Sequence, residues 1–348
     1  MKIVKKTELN PGKAALYRIL AVLAALLCAA LIMLCMGFNP LTIFGKLIEG
    51  SVMSPYRFRE TINKAIPLVV LSLGICIAFR MKFWNIGAEG QLYMGALGAS
   101  YVALFGPEMP MWLTLCCMMA ASLVMGALWS LIPAALKHFT GASESLVTLM
   151  MNYIAIKWVS YLQYGPWRDP KASGMPKIAI FPDRAILPKV MGVHIGWIIA
   201  LVLVVLTYVM LRYTKLGYEI SVLGESVQTA RYAGMNTAKV LLIAVGLSGA
   251  LCGLAGMIQA SAVETSLSDQ LSGGLGYTAI ITTWLSQLSA PVIVGVSFLF
   301  AMLLQGGAYL QSAMQIPAAV ADILQGVILF FVLGCEFFLQ YKLVRDKK

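Results

Sequence analysis

The sequence predicts an all-α, polytopic integral membrane protein of about ten transmembrane helices, with both termini cytoplasmic. Three observations lead there. Of the 348 residues, 60% are hydrophobic and only 12% charged, and the mean hydropathy is +0.83. A soluble domain carries roughly a quarter charged residues, so too little polar surface remains here to coat a water-soluble globule. The apolar residues also fall in blocks, several of them near the ~20 residues that cross ~30 Å of hydrocarbon as a helix. Finally, lysines and arginines sit beside those blocks, where orientation signals belong. β-Barrel spans of about ten alternating residues are not found.

In order, the blocks predict spans over 15–37, 61–80, 88–106, 111–136, 146–164, 193–212, 238–260, 276–289, 291–310 and 317–340. Lys2, Lys5, Lys6, Lys13 and Arg18 precede the first apolar run, which resembles a signal peptide. The run is longer than an h-region and has no A-x-A exit, so it reads as a retained span after a basic cytoplasmic N-terminus, 1–14. The basic tail, 341–348, agrees with it, and 15–340 reads as a single transmembrane domain. The net charge of +11 is explained by these flanking positions, with no aromatic-basic interleaving to suggest nucleic acid. Cys28, Cys35, Cys76, Cys116, Cys117, Cys252 and Cys335 lie in apolar stretches without a CxxC pair and read as small apolar residues.

Two soluble segments differ in kind. Residues 165–192 carry Pro166, Pro170, Pro176, Pro182 and Pro188 among alternating charges, which predicts an extended external loop. Residues 213–237 form a cytoplasmic loop in which ESVQTARY lies between Gly224 and Gly234. A short exposed helix is expected there, stopped by Gly234; on the residues alone it reads as a connector.

Chemistry of several kinds is absent from the sequence. No GxxxxGK[ST] phosphate loop, HExxH or GxSxG occurs, so neither catalytic residues nor ATP hydrolysis by this chain is expected. His138 and His194 are far apart and read as interface residues rather than metal ligands.

Ionisable groups within hydrocarbon are costly and draw attention to function. Glu89, Glu144, Lys157, Asp322 and Glu336 are the candidates. Ser143 suits a helix cap and Glu144 the helix dipole, Lys157 can snorkel, and Glu336 lies a turn from the cytoplasmic exit. Asp322 faces either the bundle or the external surface. The stretch FWNIGAEGQLYMGALGA, 83–99, brings Asn85, Glu89 and Gln91 to the membrane boundary among Gly87, Gly90, Gly95 and Gly98. Either those glycines serve helix packing, or the helix is interrupted and its freed backbone lines a cavity. GGLGYTAI, 273–280, is a second glycine-rich stretch, and the two suggest paired halves around a pathway.

NIGAEGQLYMGALGA, GESVQTARYAGMNTAKV and GLGYTAI, in this order and spacing, resemble one family, with likeness over roughly residues 40–340. It is the ABC-importer permease group that includes ribose, simple-sugar and branched-chain amino acid permeases. PLVVLSLGICIAFRMKFWNIGAEGQ, SESLVTLMMNYIAI, the added first span and the proline-bearing loop look most like the larger permease of bacterial nucleoside importers. ITTWLSQLSAP departs from the pattern, with Trp284 and Gln287 where the family has small groups and no Asn-Pro ending.

The resemblance implies a multi-pass protein of the bacterial cell membrane that binds no cofactor itself. ATP and Mg belong to cytoplasmic ABC ATPase subunits. The further partners implied are a second, different permease chain, an extracellular solute-binding lipoprotein and a small-molecule solute. It also implies a coupling helix at Gly224–Gly234, with Glu225 and Arg231 in polar contacts and Tyr232 and Ala233 packing on the ATPase. Asn85, Glu89, Gln91, Asn152 and Tyr153 are the expected pathway residues, amides and an aromatic face being suited to a nucleoside. The alternatives are a permease of the same architecture for ribose, other simple sugars or branched-chain amino acids, and an ion-coupled secondary transporter.

Overall fold

A computed structural model describes residues 2–5, 11–172, 174–315 and 341–344, and between 316 and 340 only 323, 326, 327, 330, 331, 334 and 335. The span expected at 317–340, with Asp322 and Glu336, therefore lies outside the described residues, apart from those few positions. Among the described residues are twelve α-helices and only four short strands. Contacts divide the chain into two compact units, 1–61 with 302–348, and 62–301.

In the first unit, β1 (Lys2–Lys5) pairs antiparallel with β4 (Tyr341–Val344), Lys2 opposite Val344. α1 (Pro11–Cys35) is followed by α2 (Pro40–Val52), and the two meet at a bend of 115°. α2 was not among the expected spans, because thirteen residues with a one-sided apolar pattern carry no transmembrane signature. Asn39 caps it, accepting from Leu41 N at 3.0 Å, while Ile43 and Leu47 turn inward. Glu49 receives Lys46 at 2.7 Å and the Tyr309 hydroxyl at 3.0 Å, and Arg57 lies over the Tyr309 ring at 4.1 Å.

The helices that follow are α3 (Pro55–Arg80), α4 (Ala88–Phe105), α5 (Met111–Thr140) and α6 (Glu144–Tyr164). Then come α7 (Gly196–Tyr213), α8 (Lys215–Glu225), α9 (Val227–Tyr232), α10 (Thr237–Ile258), α11 (Leu275–Leu285) and α12 (Ala290–Met314). α3, α5, α7, α10 with its π-turn extension to Val263, and α12 are long and apolar enough to cross a membrane, five in all, or six if α1 and α2 form one broken span. α4 and α6 fall outside that set, carrying Glu89 and Gln91 in one and Glu144, Asn152, Lys157 and Gln163 in the other.

The centre of the second unit is α4, α5 and α10 packed backbone to backbone. A Cβ on Gly95 of α4 would strike the backbone of Gly253 in α10, and one on Gly256 would strike Leu92 O. A Cβ on Gly126 of α5 would lie 2.7 Å from Gly253 Cα. Small residues permit such approach, which in lipid supplies much of the helix–helix attraction. α3 and α4 are consequently buried almost all round.

Three expectations need correction. The eighth span, 276–289, is not a crossing: α11 has only 11 residues, roughly 16 Å against the ~30 Å required. It is bounded by left-handed backbone at Gly273 and Gly274 before it and at Gln287 and Leu288 after it. Residues 165–192 do not form an extended loop. Ile178, Phe181, Ala185 and Leu187 are buried, Phe181 N donates to Thr265 O (2.9 Å), and Leu187 N donates to the Ser261 hydroxyl (3.1 Å). A short hairpin of β2 (Lys189–Val190) and β3 (Val193–His194) closes the segment. Its prolines break helices without keeping apolar side chains out of the core. Ser143 makes no side-chain cap; Glu144 instead pairs with Lys137 at 2.7 Å across the α5–α6 turn.

His194 is buried, with Nε2 3.3 Å from Asn63 O, and His138 rests against the Phe139 ring.

Candidate functional site: two interrupted helices

The stretch Met81–Gly87 between α3 and α4 is not helical, yet Met81, Phe83, Asn85 and Gly87 are buried. Its depth follows from its partners. Asn85 Nδ2 donates at 3.2 Å to Ser248 Oγ, about midway along α10, and Gly90 N donates at 2.8 Å to Asn152 Oδ1, in the middle turns of α6. α4 thus begins near mid-span, and the glycine-rich stretch is an interrupted helix as well as a packing surface.

Irregular backbone at that depth persists only where protein satisfies its polar groups. Asn85 Oδ1 accepts from Gly87 N at 3.0 Å, taking the place of a helical carbonyl. The amides of Asn85 and Gln91 bond reciprocally, at 3.1 and 3.0 Å. Thr148 Oγ1 accepts from Ile86 N at 3.2 Å, and Asn152 Nδ2 donates to Ile86 O at 2.9 Å. Asn152 therefore holds both sides of the break, which explains a buried amide inside an apolar helix.

The second interruption lies opposite. Glu89, in the first turn of α4, is 3% exposed. Its Oε2 accepts from Gly276 N at 2.7 Å and its Oε1 from the Ser272 hydroxyl, which also receives Gly274 N at 3.1 Å. The free N–H groups at the start of α11 are thereby met by a carboxylate, the partner that a helix N-terminus favours. Tyr93 OH donates to Asp269 O at 2.8 Å, and Gln163 Oε1 accepts from Asp269 N at 2.9 Å, binding the approach to α11 onto α4 and α6. A Cβ on Gly276 would lie 2.5 Å from Glu89 N, so only glycine fits there.

Four of the five expected pathway residues, Asn85, Glu89, Gln91 and Asn152, thus form one buried cluster whose hydrogen bonds are internal. Tyr153 stands apart from it, 55% exposed on the other side of α6 and near Tyr277. Tyr277 extends the cluster outward, its hydroxyl 3.4 Å from Asn152 Nδ2. The exposed flank of α6 carries Tyr153, Lys157, Trp158 and Tyr161. Sequence reading missed Ser272, Tyr277 and Asp269, although GGLGYTAI marked their neighbourhood. It also missed Gly249, Gly253 and Gly256 of α10, whose small-xxx-small spacing was the available signal.

Replacing Asn152 with alanine leaves Gly90 N and Ile86 O unpaired at mid-span. A loss of about 1–3 kcal/mol is expected for a buried group left in that state. A lower thermal unfolding midpoint of the purified chain in detergent checks this, and an unchanged midpoint would contradict the arrangement.

At the α8–α9 turn, Ser226 Oγ accepts from Thr229 N at 3.2 Å, and Gly234 (φ +71°) ends the segment. Ala230 is buried, whereas Glu225, Arg231, Tyr232, Ala233 and Gly234 are exposed, Tyr232 by 94%. The short helix is Val227–Tyr232; Gly224 and Glu225 belong to the end of α8. Gly224 does not delimit that helix, because its missing Cβ is needed where α8 meets Arg80 O.

Five to six apolar spans, together with helices that begin at breaks in buried backbone, define a multi-pass membrane protein of transporter type. The chain belongs to the family described as branched-chain amino acid transport system / permease component, whose profile matches residues 58–333. It is 31% identical to the glucose ABC transporter permease protein TsgB13 of Haloferax volcanii, over 93% of this chain and 88% of the relative. It is 26% identical to the nucleoside ABC transporter permease protein NupB of Lactococcus lactis, covering 97% and 95% of the two chains. The guanosine ABC transporter permease protein NupP of Bacillus subtilis is 28% identical, covering 90% and 91%. The chain is accordingly the permease component of an ABC importer, a membrane subunit and not itself an enzyme.

Proposed function

We propose that this chain forms part of the solute pathway of a nucleoside importer. The observation that carries the reading is the pairing of aromatic and amide groups where the two interrupted helices meet. Tyr277 is exposed beside the Asn152 amide, with the exposed Tyr153 near it, and a nucleoside offers a flat base to the rings and hydroxyls to the polar groups. The two relatives whose names specify a nucleoside or guanosine, matched over nearly their whole length, support it. The glucose permease relative supports a second reading, a sugar importer with the same architecture.

In the proposed assembly a second permease chain of a different kind completes the pathway. A solute-binding lipoprotein delivers solute from outside, and cytoplasmic ATPase subunits hold ATP and Mg and drive the cycle. Residues 15–340 act as one permease domain with both termini cytoplasmic; the pairing of β1 with β4, which sets the two ends side by side, supports an even number of crossings. Glu225, Arg231, Tyr232, Ala233 and the Gly224 and Gly234 that flank them form the ATPase contact. The exposure of Glu225, Arg231, Tyr232, Ala233 and Gly234, around a short helix held by its own cap, supports that role, while Gly224 is buried behind them against Arg80.

The test is uptake of labelled guanosine, adenosine and uridine in cells lacking this chain, with and without its restoration. Restored uptake that unlabelled nucleosides abolish, and that glucose, ribose and leucine leave intact, is expected. Competition by glucose alone would move the assignment to sugars, and uptake that survives ATP depletion while an ion gradient is held would oppose an ABC importer.

A further inference from the structure

We infer that Glu89 is a positioning residue that transmits movement of the α8–α9 segment to the half-helix α11, through the non-helical stretch Met81–Gly87 and the first turn of α4. The inference rests on the reading of α8–α9 as the ATPase contact.

Three contacts make the route. At its start, Gly224 of α8 sits on the backbone that ends α3: a Cβ there would strike Arg80 O and lie 3.1 Å from Met81 Cα. Such contact is stiff, because the touching atoms on both sides are backbone and no side chain between them can rotate away. Next, Trp84 stacks on Trp284 near the end of α11, with ring centroids 5.4 Å apart and planes at 22°, and Phe79 packs on both rings at 5.4 and 5.7 Å. At the far end, Glu89 holds the beginning of α11 through Gly276 N and Ser272. The stretch between Arg80 and Glu89 is therefore strapped to α11 at both of that helix's ends.

The helix itself supplies the second half of the argument. Left-handed residues interrupt the chain on both sides of α11, so no continuous helix carries its position from a neighbouring span. Its lateral contacts decide where it sits: Ser72 of α3 bonds Thr282 and Thr283 along its side, and the stretch Gly224 touches adds a contact at each end. Among the side chains concerned, Glu89 holds the start of the helix, through oxygens that accept from Ser272 in the approach and from Gly276 in the helix itself. A shift of α8 against Arg80–Met81 moves this stretch and draws α11 with it, and with α11 goes Tyr277, one residue beyond Gly276 and exposed beside Asn152. Trp284, where the resembled family has a small group, then reads as one half of a strap. A buried carboxylate at helix N-termini also has a purely structural reading, in which it adds only stability. The two readings differ in whether its loss separates ATP hydrolysis from solute movement.

The experiment uses the assembled importer, with partner permease, ATPases and binding protein, in proteoliposomes. Labelled guanosine, or glucose if guanosine is not taken up, is the probe, and solute moved per ATP hydrolysed is the readout. Glu89→Ala is expected to lower that ratio by about 2- to 30-fold, the range for residues that carry coupling between sites, while assembly and basal hydrolysis persist. Glu89→Gln, which keeps an acceptor oxygen, recovers part of it, and Gly224→Ala reproduces the loss. If Glu89→Ala fails to assemble, Glu89→Gln and Ser272→Ala carry the test.

Alkylation of Tyr277→Cys and of Ala233→Cys, with and without ATP, separates the two underlying readings. Protection of Ala233→Cys by the ATPase, with a nucleotide response at Tyr277→Cys that Glu89→Ala or Glu89→Gln removes, supports the route. Protection with an undiminished response at Tyr277→Cys overturns it, as does a fall in uptake and hydrolysis in equal proportion. No protection of Ala233→Cys overturns the α9 contact itself, and the route with it.

Discussion

Gly253→Ala is expected to deplete the protein from the membrane and to lower its unfolding midpoint in detergent, whereas Gly246→Ala on the same helix leaves both near their parent values. Both add one methyl to α10. At Gly246 the new Cβ meets the Leu131 side chain, no nearer than an ordinary 3.6 Å. At Gly253 it would strike Ser122 O and lie 2.9 Å from Gly126 Cα, where Gly95 of α4 closes in from another side. Overpacking a core costs about 1–3 kcal/mol even where side chains can yield, and here the obstacles are backbone. A Gly246→Ala chain that falls as far as Gly253→Ala would show that glycine content, not the three-helix crossing, sets stability. The same crossing positions the start of α4, so its loss also removes the cluster around Asn85 and Asn152.

Tyr232→Ala is expected to abolish capture of the ATPase subunits and, with it, uptake, while membrane abundance stays as in the parent. Tyr232 is 94% exposed on a helix whose fold does not use it. The cap at Ser226, the bond from Met235 N to Ala230 O at 3.0 Å and the burial of Ala230 remain after the substitution. Aromatic anchors at interfaces contribute about 2 kcal/mol or more, roughly 30-fold in affinity. Arg231→Ala weakens the same contact without unfolding the helix. Co-purification of tagged ATPase, read beside quantified membrane protein, checks this. A matching loss of folded chain would assign the segment to structure.

Much of this protein was legible in its sequence because a bilayer makes simple demands. Apolar runs near 19 residues, basic flanks and the helix-stopping Gly234 each report a local physical requirement. The segments around 83–99 and 273–280 could be singled out because glycines and amides are conspicuous in such surroundings. What the amides do was not legible. Asn85 and Gln91 read as groups facing a solute, but they face each other, a pairing that depends on the break before α4 placing residues six apart in register. Glu89 likewise read as a pathway acid, and its partners lie more than 180 residues away at Ser272 and Gly276.

The sequence by itself determined that this is a helical membrane protein of the ABC-importer permease group, since hydrophobic length and the motif series are properties of the linear chain. Only the tertiary structure decided that α4 and α11 begin inside the membrane, that α11 is a half-helix, and that α4, α5 and α10 touch through bare backbone. The reason is that an unsatisfied N–H or C=O at mid-span must find its partner wherever the fold supplies one. For this chain those partners are Asn152, Thr148, Ser272 and Glu89, which packing brings to the two breaks.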